Sequence, residues 1–326
     1  MLSILSPSNY APFNIALEEY IFTNFEQNCF LLYINEPCII VGRFQNTVAE
    51  INYQWVQEHE IPVVRRLTGG GTVFHDLGNL NFSFLMQNEE GDTGGFAKYT
   101  APILEVLNDL GIPARLEGRN DLTIKGLKFS GNAKMVQNGK TLQHGTILFS
   151  SQVDSLTQAL KVNPIKFTDK AVKSVRARVT NVSDHLLSPM KINDFLALVR
   201  NKIHSLYPSA KDYSLTIDDR SEVQALVDSK YDTWEWNFGK SPQYNLANAI
   251  RSKGGTIELY LDVSHGIITN LQIFGDFFSS RDIKELEQAF SGTPHTRESV
   301  QEILQSIDYR SYLGEVDLRD LVNGML

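Results

Sequence analysis

The residue types best suited to bind an anion lie together in residues 65–76, which read RRLTGGGTVFHD. Three consecutive glycines let the backbone turn sharply and approach a ligand closely. Backbone N–H groups left unpaired in such a turn can point at an anion. Arg65 and Arg66 add positive charge and bidentate donors. The run therefore predicts a cradle for a phosphate or another oxyanion.

A simple turn is the alternative interpretation of the three glycines. The run has neither the Gly-Lys-Ser/Thr ending of a P-loop nor the glycine spacing of a dinucleotide-binding loop. It lies between an apolar segment, residues 61–64, and an alternating segment, residues 80–86, both typical of strands. We therefore predict a loop between two strands, and residue type alone leaves a hairpin turn open.

Residues 118–148 are predicted to form an antiparallel meander. Alternating apolar residues lead into a turn at Gly126, and the chain returns from Leu127. Asn138-Gly139 is the strongest two-residue hairpin signal in the sequence, and it joins this strand to residues 141–148. Neighbouring strands of the meander then carry Asp121, Lys128 and His144.

Lys128 is the candidate catalytic cation of this meander. Ser130 and Gly131 follow it closely, and a glycine there permits close approach of a ligand. A lysine on a strand is more often a solvated edge residue, and His144 could as easily be a hydrogen-bonded core residue. The residue types by themselves leave both alternatives open.

Size and charge restrict the class of protein. The chain has 326 residues, of which 42% are hydrophobic and 21% charged, as in a soluble globular protein of two domains. Its net charge is −8. An acidic balance argues against broad binding to nucleic acid or to anionic membranes.

Several other classes are also disfavoured. No apolar run approaches the ~20 residues of a membrane span, and the N-terminus has no basic region before an apolar core, so we expect no signal peptide. Cys29 and Cys38 form neither a disulfide framework nor a metal-ligand array, which fits a reducing cytosol. The seven histidines include no pair at metal-site spacing. We predict a cytoplasmic protein without a transition metal.

Periodicity predicts an α/β chain of two domains. Apolar residues at helical spacing predict helices over residues 12–25, 53–59, 100–110 and 195–206. Two alternating strands, residues 257–263 and 267–274, precede further helices near the C-terminus. An aromatic segment, residues 231–242, is typical of a domain seam. The predicted domains are residues 1–244 and a small α+β module, residues 245–326.

The motifs resemble those of the lipoate–protein ligases. Residues 65–79 match the signature RRxTGGGTVFHDxGN, and residues 128–131 match its Lys-x-Ser-Gly element. Residues 42–46, 144–146 and 174–181 are similar to the family's Gly-Arg-x-Gln-Asn, His-Gly-Thr and Ser-Val-Arg-x-Arg-Val-Thr-Asn stretches. The resemblance extends over nearly the whole chain and includes an appended C-terminal domain.

This resemblance implies a fold and a reaction. The fold would be the biotin/lipoate-ligase-like one, with a mixed, largely antiparallel sheet flanked by helices. The reaction would use ATP and Mg²⁺ to convert lipoate to lipoyl-AMP, and would then transfer the lipoyl group to a lysine of an acceptor domain. The implied acceptors are E2 subunits of 2-oxoacid dehydrogenases and the glycine cleavage H protein.

The resemblance also assigns roles to individual residues. Lys128 would be catalytic and would contact the acyl carbonyl and the α-phosphate. Asp121 is our own candidate for holding Mg²⁺ with the nucleotide, because magnesium commonly uses one or two carboxylates together with phosphates. Residue type adds an apolar slot for the lipoate tail, formed by Phe44, Leu67 and Phe82 beside His144. The residues expected to bind ATP or lipoyl-AMP are Arg66, Thr68, Gly70, Gly71, Thr72, Val73, Phe74, Asp121, Lys128 and Ala133.

Two rival functions remain. Octanoyl- and lipoyl-transferases share the fold and work without ATP, and those of the cysteine type use a thiol located after the His-Gly element. Here no cysteine follows Cys38, so a covalent acyl-enzyme lacks its nucleophile. The second rival is a catalytically silent protein that keeps the lipoate pocket. A biotin ligase would show a longer Arg/Gly loop.

Overall fold

A computed structural model describes residues 1–45, 47–87, 95–152, 159, 179–238, 246–264 and 267–326. Three predictions concern residues outside these ranges. They are the glycine-rich segment at residues 91–95, which the sequence predicts to be a connector and of which only Gly95 is described, the basic stretch that contains Lys170, Lys173, Arg176 and Arg178, and the domain boundary after residue 244.

Within the described residues, the main sheet has eight strands and is mixed. Its strands are β1 (Leu2–Leu5), β2 (Cys29–Ile34), β6 (Asn79–Gln87), β7 (Ala114–Glu117), β8 (Asp121–Ile124), β9 (Leu127–Gln137), β10 (Lys140–Leu148) and β11 (Lys211–Tyr213). Their order is β11-β1-β2-β6-β10-β9-β8-β7. β1 pairs in parallel with β2 and β11, and all other pairs are antiparallel. The predicted meander is confirmed, with Asn138 (φ 52°) and Gly139 (φ 71°) in the turn between β9 and β10.

A second sheet of three short strands carries the glycine run. Its strands are β3 (Cys38–Val41), β4 (Val63–Arg65) and β5 (Val73–His75), in the order β4-β3-β5. The glycines therefore connect β4 to β5, and not directly to the strand predicted at residues 80–86, which is β6. The short strand β5 escaped prediction because three residues show too little alternation to be recognised.

The helices largely follow the predictions. They are α1 (Ala11–Asn24), α2 (Thr47–Glu50), α3 (Tyr53–Glu58), α4 (Ala97–Asp109), α5 (Ile192–Leu206), α6 (Ile217–Leu226), α7 (Trp234–Asn237), α8 (Ile283–Ala289), α9 (Arg297–Ser306), α10 (Arg310–Leu313) and α11 (Leu318–Gly324). Pro12 lies in the first turn of α1, where its missing N–H has no intrahelical partner to lose. None of the helices in the described ranges combines the length and hydropathy required to cross a bilayer.

Strand alternation divides the main sheet into two faces. Phe30, Phe82 and Phe84 point to one face and pack in a core with residues of α4 and α5. Leu31 and Leu142 point to the other face, which packs with α1, α6 and the small sheet. The space between this second face and the glycine run is where a ligand can be enclosed.

The C-terminal module has its own sheet and core. Its strands are β12 (Leu246–Ser252), β13 (Gly255–Ser264), β14 (Ile267–Gly275) and β15 (Thr293–Pro294), in that order. The two predicted strands are confirmed as β13 and β14, whereas β12 was not predicted. A segment after β14 reaches the glycine run, since a Cβ on Gly69 would lie 2.2 Å from the carbonyl oxygen of Phe277.

Candidate functional site

A cavity lies between the glycine run and the second face of the main sheet. Its empty space, with the open mouth included, is about 650 Å³. Predicted site residues from both of the chain's motifs line it: Arg66, Gly70, Gly71, Thr72, Val73, Lys128, Ala133 and His144. Tertiary folding has thus brought together two motifs that are about sixty residues apart.

Glycine is required at Gly70 of the loop and at Gly42, which follows β3 and contacts the loop, for different reasons. Gly70 has φ +91°, a region that side chains rarely adopt. A Cβ on Gly42 would lie 2.0 Å from the carbonyl oxygen of Gly70, so the two backbones touch. Gly71, by contrast, has open space where its Cβ would be. The loop is therefore held in one shape, and its position 71 leaves room for a ligand.

Arg66 fixes this shape from inside the protein. Its guanidinium donates to the carbonyl oxygens of Gly69 (2.7 Å) and Gly71 (2.9 Å), and also to Ile40 O and Thr68 Oγ1. Only 5% of the residue is exposed. Burial lowers the pKa of Arg66 to about 10, so the side chain remains cationic at neutral pH. Arg66 therefore shapes the loop and places a fixed positive charge in the cavity wall.

Arg65 has a different place from the one expected. Its guanidinium donates to the carbonyl oxygens of Gly42, Gln45 and Trp236, and it does not line the cavity. The prediction that both arginines bind the anion is wrong for Arg65. Arg65 is the last residue of β4 and Arg66 follows it directly. Successive side chains of an extended segment point to opposite sides, which explains the difference.

A buried hydrogen-bonded hub supports the cavity from behind. Glu18 of α1 accepts from His144 Nδ1 (2.9 Å), from Tyr33 Oη (3.0 Å) and from the Ser83 hydroxyl. On the other side of the imidazole, His144 Nε2 lies 2.7 Å from Thr68 Oγ1, which accepts from Arg66 Nε. The hub thus connects the carboxylate of Glu18 to the arginine that shapes the glycine loop.

The charge on Glu18 is held in place by these partners. Burial raises the pKa of Glu18, but attraction to His144 and the hydrogen bonds from His144, Ser83 and Tyr33 outweigh it, and the net pKa is lowered. Glu18 was not among the predicted site residues. A signal was present, because a glutamate between Leu17 and Ile21 interrupts the apolar face of the helix, and buried glutamates are almost always paired.

Lys128 reaches the cavity because of a β-bulge. Thr123 pairs with Lys128 and Asp121 with Gly131, which leaves Phe129 as the extra residue in β9. A bulge re-aims side chains, and here it puts Lys128 and Gly131 on one face, although they are three residues apart. A Cβ on Gly131 would lie 3.1 Å from Lys128 Nζ. The glycine of the Lys-x-Ser-Gly element therefore makes room for the lysine side chain.

Lys128 and Asp121 form an ion pair at the mouth of the cavity. Nζ lies 2.7 Å from Oδ1, and the two side chains are 41% and 40% exposed. Within the described ranges, no group of three or more His, Cys, Asp or Glu side chains is arranged to hold a metal ion. Asp121 is thus a single carboxylate next to the cation, and it does not itself line the cavity.

The apolar slot is formed by residues other than those predicted. Phe44 stacks on Phe277 with ring centroids 5.0 Å apart and belongs to the core of the C-terminal module. Leu67 and Phe82 are also core residues outside the cavity. The apolar wall instead comes from Ile15, Tyr33, Ile40 and Val73. The prediction failed because residue type does not tell on which face of an element a side chain lies.

Two further predicted residues stand behind the cavity wall. Thr68 contacts Arg66 and His144 through its hydroxyl, as described above. Phe74 packs with Ile39 and Val63 in a core on the far side of the small sheet, so its side chain faces away from the cavity. Only its backbone can serve a ligand there.

Both cysteines are unsuited to nucleophilic chemistry. Cys29 and Cys38 are free and buried, and neither lines the cavity. Burial raises the pKa of Cys29 to about 12 and that of Cys38 further. Because the thiolate is the reactive form, the cavity offers no cysteine nucleophile.

Comparison with protein families gives two matches. Residues 10–204 match the model of the lipoyl protein ligase A/B catalytic domain, and residues 241–325 match that of the bacterial lipoate protein ligase C-terminus. Lipoate–protein ligase 1 of Staphylococcus aureus is 40% identical over 314 residues, which cover 96% of this chain and 95% of that protein.

Several solved structures have a fold similar to that of this chain. LipL1 of P. falciparum, in complex with lipoate, aligns with a TM-score of 0.80 at 24% identity and covers 99% of this chain and 97% of its own. A lipoate–protein ligase A bound with ATP aligns with a TM-score of 0.63 at 26% identity, covering 73% and 98%. The bipartite lipoate protein ligase of Thermoplasma acidophilum, solved with its E2 lipoyl domain, aligns with a TM-score of 0.65 at 30% identity, covering 75% and 98%.

The predicted fold class is confirmed by these neighbours and by the mixed, mostly antiparallel sheet with a small C-terminal sheet domain. The chain belongs to the lipoate–protein ligases.

Proposed function

We propose that this chain couples ATP to the activation of lipoate at the cavity between the glycine run and Lys128, and then transfers the lipoyl group to a lysine of an acceptor domain. The observation that carries the proposal is that Lys128 and the glycines at positions 70 and 71 line one cavity. A flexible cation and a rigid loop therefore face the same ligand.

The first half-reaction brings two anions together, a carboxylate and the α-phosphate of ATP. Its barrier is largely electrostatic, so preorganised positive charge and N–H donors lower it. Arg66 supplies charge at a fixed position, because its donors hold the loop. Lys128, which is half-exposed and bound to a single carboxylate, can turn its ammonium group to a phosphate oxygen. The product is lipoyl-AMP, with release of pyrophosphate.

In the second half-reaction the acceptor amine attacks the acyl carbonyl, and AMP leaves. Negative charge then develops on the carbonyl oxygen, next to the position of the departing phosphate. The same ammonium group of Lys128 can stabilise it, since lysine carries a compact charge on a flexible stem. We propose that the acceptors are E2 lipoyl domains and the H protein. For E2, the solved pairing of the related archaeal ligase with its E2 lipoyl domain supports the assignment.

Magnesium would arrive with the nucleotide. Mg²⁺ commonly uses one or two carboxylates together with phosphates, and Asp121, at the mouth of the cavity, is a carboxylate of this kind. When bound, the ion neutralises phosphate charge. Asp121 itself holds Lys128 in place before substrates enter.

A cytoplasmic location is consistent with the two free thiols.

The ATP-independent transferase is the weaker alternative. Its cysteine form needs an accessible thiolate, and the buried cysteines provide none. A silent lipoate-binding protein would not require the cation at the mouth of the cavity. The intact pair of Lys128 and Asp121 therefore favours the ligase.

Labelling of an acceptor domain tests the proposal. An apo E2 lipoyl domain is incubated with the protein, lipoate and Mg-ATP, and lipoylation is followed by mass spectrometry. We expect labelling that depends on ATP and releases AMP. Label that forms equally without nucleotide would instead support the transferase, and no label with any acceptor domain would support the silent binder.

Lys125 provides a matched control for Lys128. It is a lysine in the turn of the same hairpin, exposed and outside the cavity. We expect Lys128→Ala to lose labelling and Lys125→Ala to keep it. Unchanged labelling in Lys128→Ala would refute the role of this lysine.

A further inference from the structure

The cavity extends across four strands of the main sheet, and its two ends differ. Lys128 lies on β9 at the exposed end. Tyr33 lies on β2, which is three strand intervals away in the order β2-β6-β10-β9. At about 4.8 Å per interval, the two ends are roughly 14 Å apart. An acid whose carboxyl group is activated beside Lys128 therefore directs its tail towards β2, and this step rests on the proposed function.

His75 belongs to the far end of the cavity. It lies at the end of β5, it is one of the residues that line the cavity, and only 2% of the residue is exposed. Its Nδ1 lies 3.0 Å from Nδ2 of Asn35, the residue that directly follows β2. The imidazole is thus held at the β2 side, opposite the lysine.

A chain of buried amides determines which ring nitrogen carries the proton. Asn14 Nδ2 donates to the carbonyl oxygen of Ser8 at 3.0 Å and to Asn35 Oδ1 at 2.7 Å. The amide of Asn35 therefore presents its NH₂ group to His75, so Nδ1 must accept. Burial, with Arg66 and His144 nearby, lowers the pKa of His75 to about 3, and the ring is neutral at physiological pH. Its single N–H is consequently on Nε2.

His75 Nε2 is buried and has no hydrogen-bond partner among the residues that the structure describes. A buried donor without a partner is unfavourable, and such groups in native proteins call for an explanation. A ligand atom that accepts a hydrogen bond at this end of the cavity provides one.

We propose that His75 is a specificity determinant that favours an acid with a sulfur-containing tail over a purely aliphatic acid of similar length. A dithiolane sulfur is a weak acceptor, and thioether-type sulfur accepts hydrogen bonds in proteins. A terminal methyl group accepts none, and in its presence the donor stays buried and unpaired. Sites built around a hydrogen bond discriminate against analogues that lack the partner group. His75 would thus select lipoate over octanoate.

Equilibrium binding without nucleotide tests this selection. The affinities of wild type and His75→Phe for lipoate and for octanoate are measured by isothermal titration calorimetry. Phenylalanine keeps the ring and removes the donor. We expect the wild type to bind lipoate more tightly, and the lipoate-to-octanoate ratio to fall roughly threefold to tenfold in the variant, the range of one ordinary hydrogen bond.

Ile40→Val is the matched control for cavity shape. Ile40 lines the same cavity and has no polar group. We expect this change to alter both affinities by the same factor. Equal losses for both acids in His75→Phe would overturn the proposal, because they would place the imidazole at the carboxyl group common to both. A wild-type protein that binds both acids equally would also overturn it.

Nuclear magnetic resonance of the wild-type protein covers the case in which His75→Phe does not fold. With ¹⁵N-labelled histidine, the Nε2–H signal of His75 should be present at neutral pH and should shift on addition of lipoate more than on addition of octanoate. A proton on Nδ1, or equal shifts with both acids, would contradict the proposal. Because ATP is absent, acid binding without later lipoylation would refute the ligase function and leave the selection by His75 intact.

Discussion

The two cations of the cavity, Arg66 and Lys128, differ in almost every physical respect. Arg66 is 5% exposed and makes four hydrogen bonds to uncharged protein groups. Lys128 has a side chain that is 41% exposed and makes one ion pair, with Asp121. Both were predicted to contact the ligand, from their charge, from the glycines beside them and from the resemblance of their motifs to the family.

Arg66 therefore maintains the structure of the site, whereas Lys128 is able to leave its partner and contact a substrate. Removing a hydrogen-bonded buried charge leaves several groups unsatisfied, so Arg66 cannot change partners at low cost. An exposed ion pair is worth about 0–1 kcal/mol, and Lys128 can leave Asp121 for a substrate oxygen with little loss. A group that must contact a phosphate and then a carbonyl oxygen belongs to the second kind.

The largest effect is expected for Arg66→Ala. The carbonyl groups of Gly69 and Gly71 and the hydroxyl of Thr68 lose their donor, and Glu18 loses a nearby compensating charge. The free energy of unfolding should fall by about 3–5 kcal/mol. Urea denaturation followed by tryptophan fluorescence measures it.

Arg66→Lys sharpens this prediction. The substitution keeps the charge but not the planar fork that reaches two carbonyl groups at once. We expect most of the stability loss to remain. Full recovery of stability in Arg66→Lys would show that only charge matters at this position, and the contrast with Lys128 would then collapse.

Lys128→Ala should have little effect on stability and a large effect on activity. Unfolding free energy should change by less than about 1 kcal/mol, because an exposed pair is lost. The rate of lipoyl-AMP formation should fall about a hundredfold or more, as expected when one donor to the charge that develops in the transition state is removed. Pyrophosphate release and thermal denaturation of the same preparation provide the two readouts. If the variant lost stability and activity in parallel, Lys128 would, like Arg66, be needed for the structure of the site.

Glu18→Gln tests the buried hub through pH. The folded-state pKa of Glu18 lies below its usual value of 4.5. A lowered carboxylate pKa contributes stability that is complete above the unfolded pKa and is lost as pH falls through the folded pKa. We expect the variant to be about 1–3 kcal/mol less stable at pH 7. The difference between wild type and variant should narrow below pH 4.5.

The titration of His75 also makes the free energy of unfolding depend on pH in the acid range, in wild type and in Glu18→Gln alike. Its pKa falls from 6.5 to about 3 on folding, so the stability of its neutral form is present above pH 6.5 and declines between these values. Subtracting the Glu18→Gln profile from that of wild type removes this common part. A difference that does not vary with pH would mean that Glu18 is not ionised in the folded protein.

The smallest effect is expected for Asp121→Asn. Unfolding free energy should change by less than about 0.5 kcal/mol at physiological salt, since a half-exposed ion pair is screened. If Asp121 also takes part in binding Mg²⁺, the concentration of Mg²⁺ required for half-maximal pyrophosphate release should rise. An unchanged Mg²⁺ requirement would leave Asp121 only the task of holding Lys128.

Local patterns in the chain were sufficient for much of the architecture. Asn138-Gly139 specified a hairpin because two successive residues with positive φ are tolerated there. The apolar periodicity of α1 and α4, and the alternation of β13 and β14, were likewise readable within one element. The motifs around Gly70 and Lys128 were enough to name the family, which the comparisons confirm.

Tertiary structure decided which of these residues meet, and in what role. Arg65 and Arg66 are neighbours of the same type, yet only Arg66 lines the cavity, because the two side chains point in opposite directions. Glu18 is part of the site because it accepts a hydrogen bond from His144, a residue 126 positions away in the chain. Phe44 stacks on Phe277 and therefore does not line the predicted slot. Hydrogen-bond partners and ring stacks of this kind depend on how distant segments pack, and no pattern within a single segment encodes them.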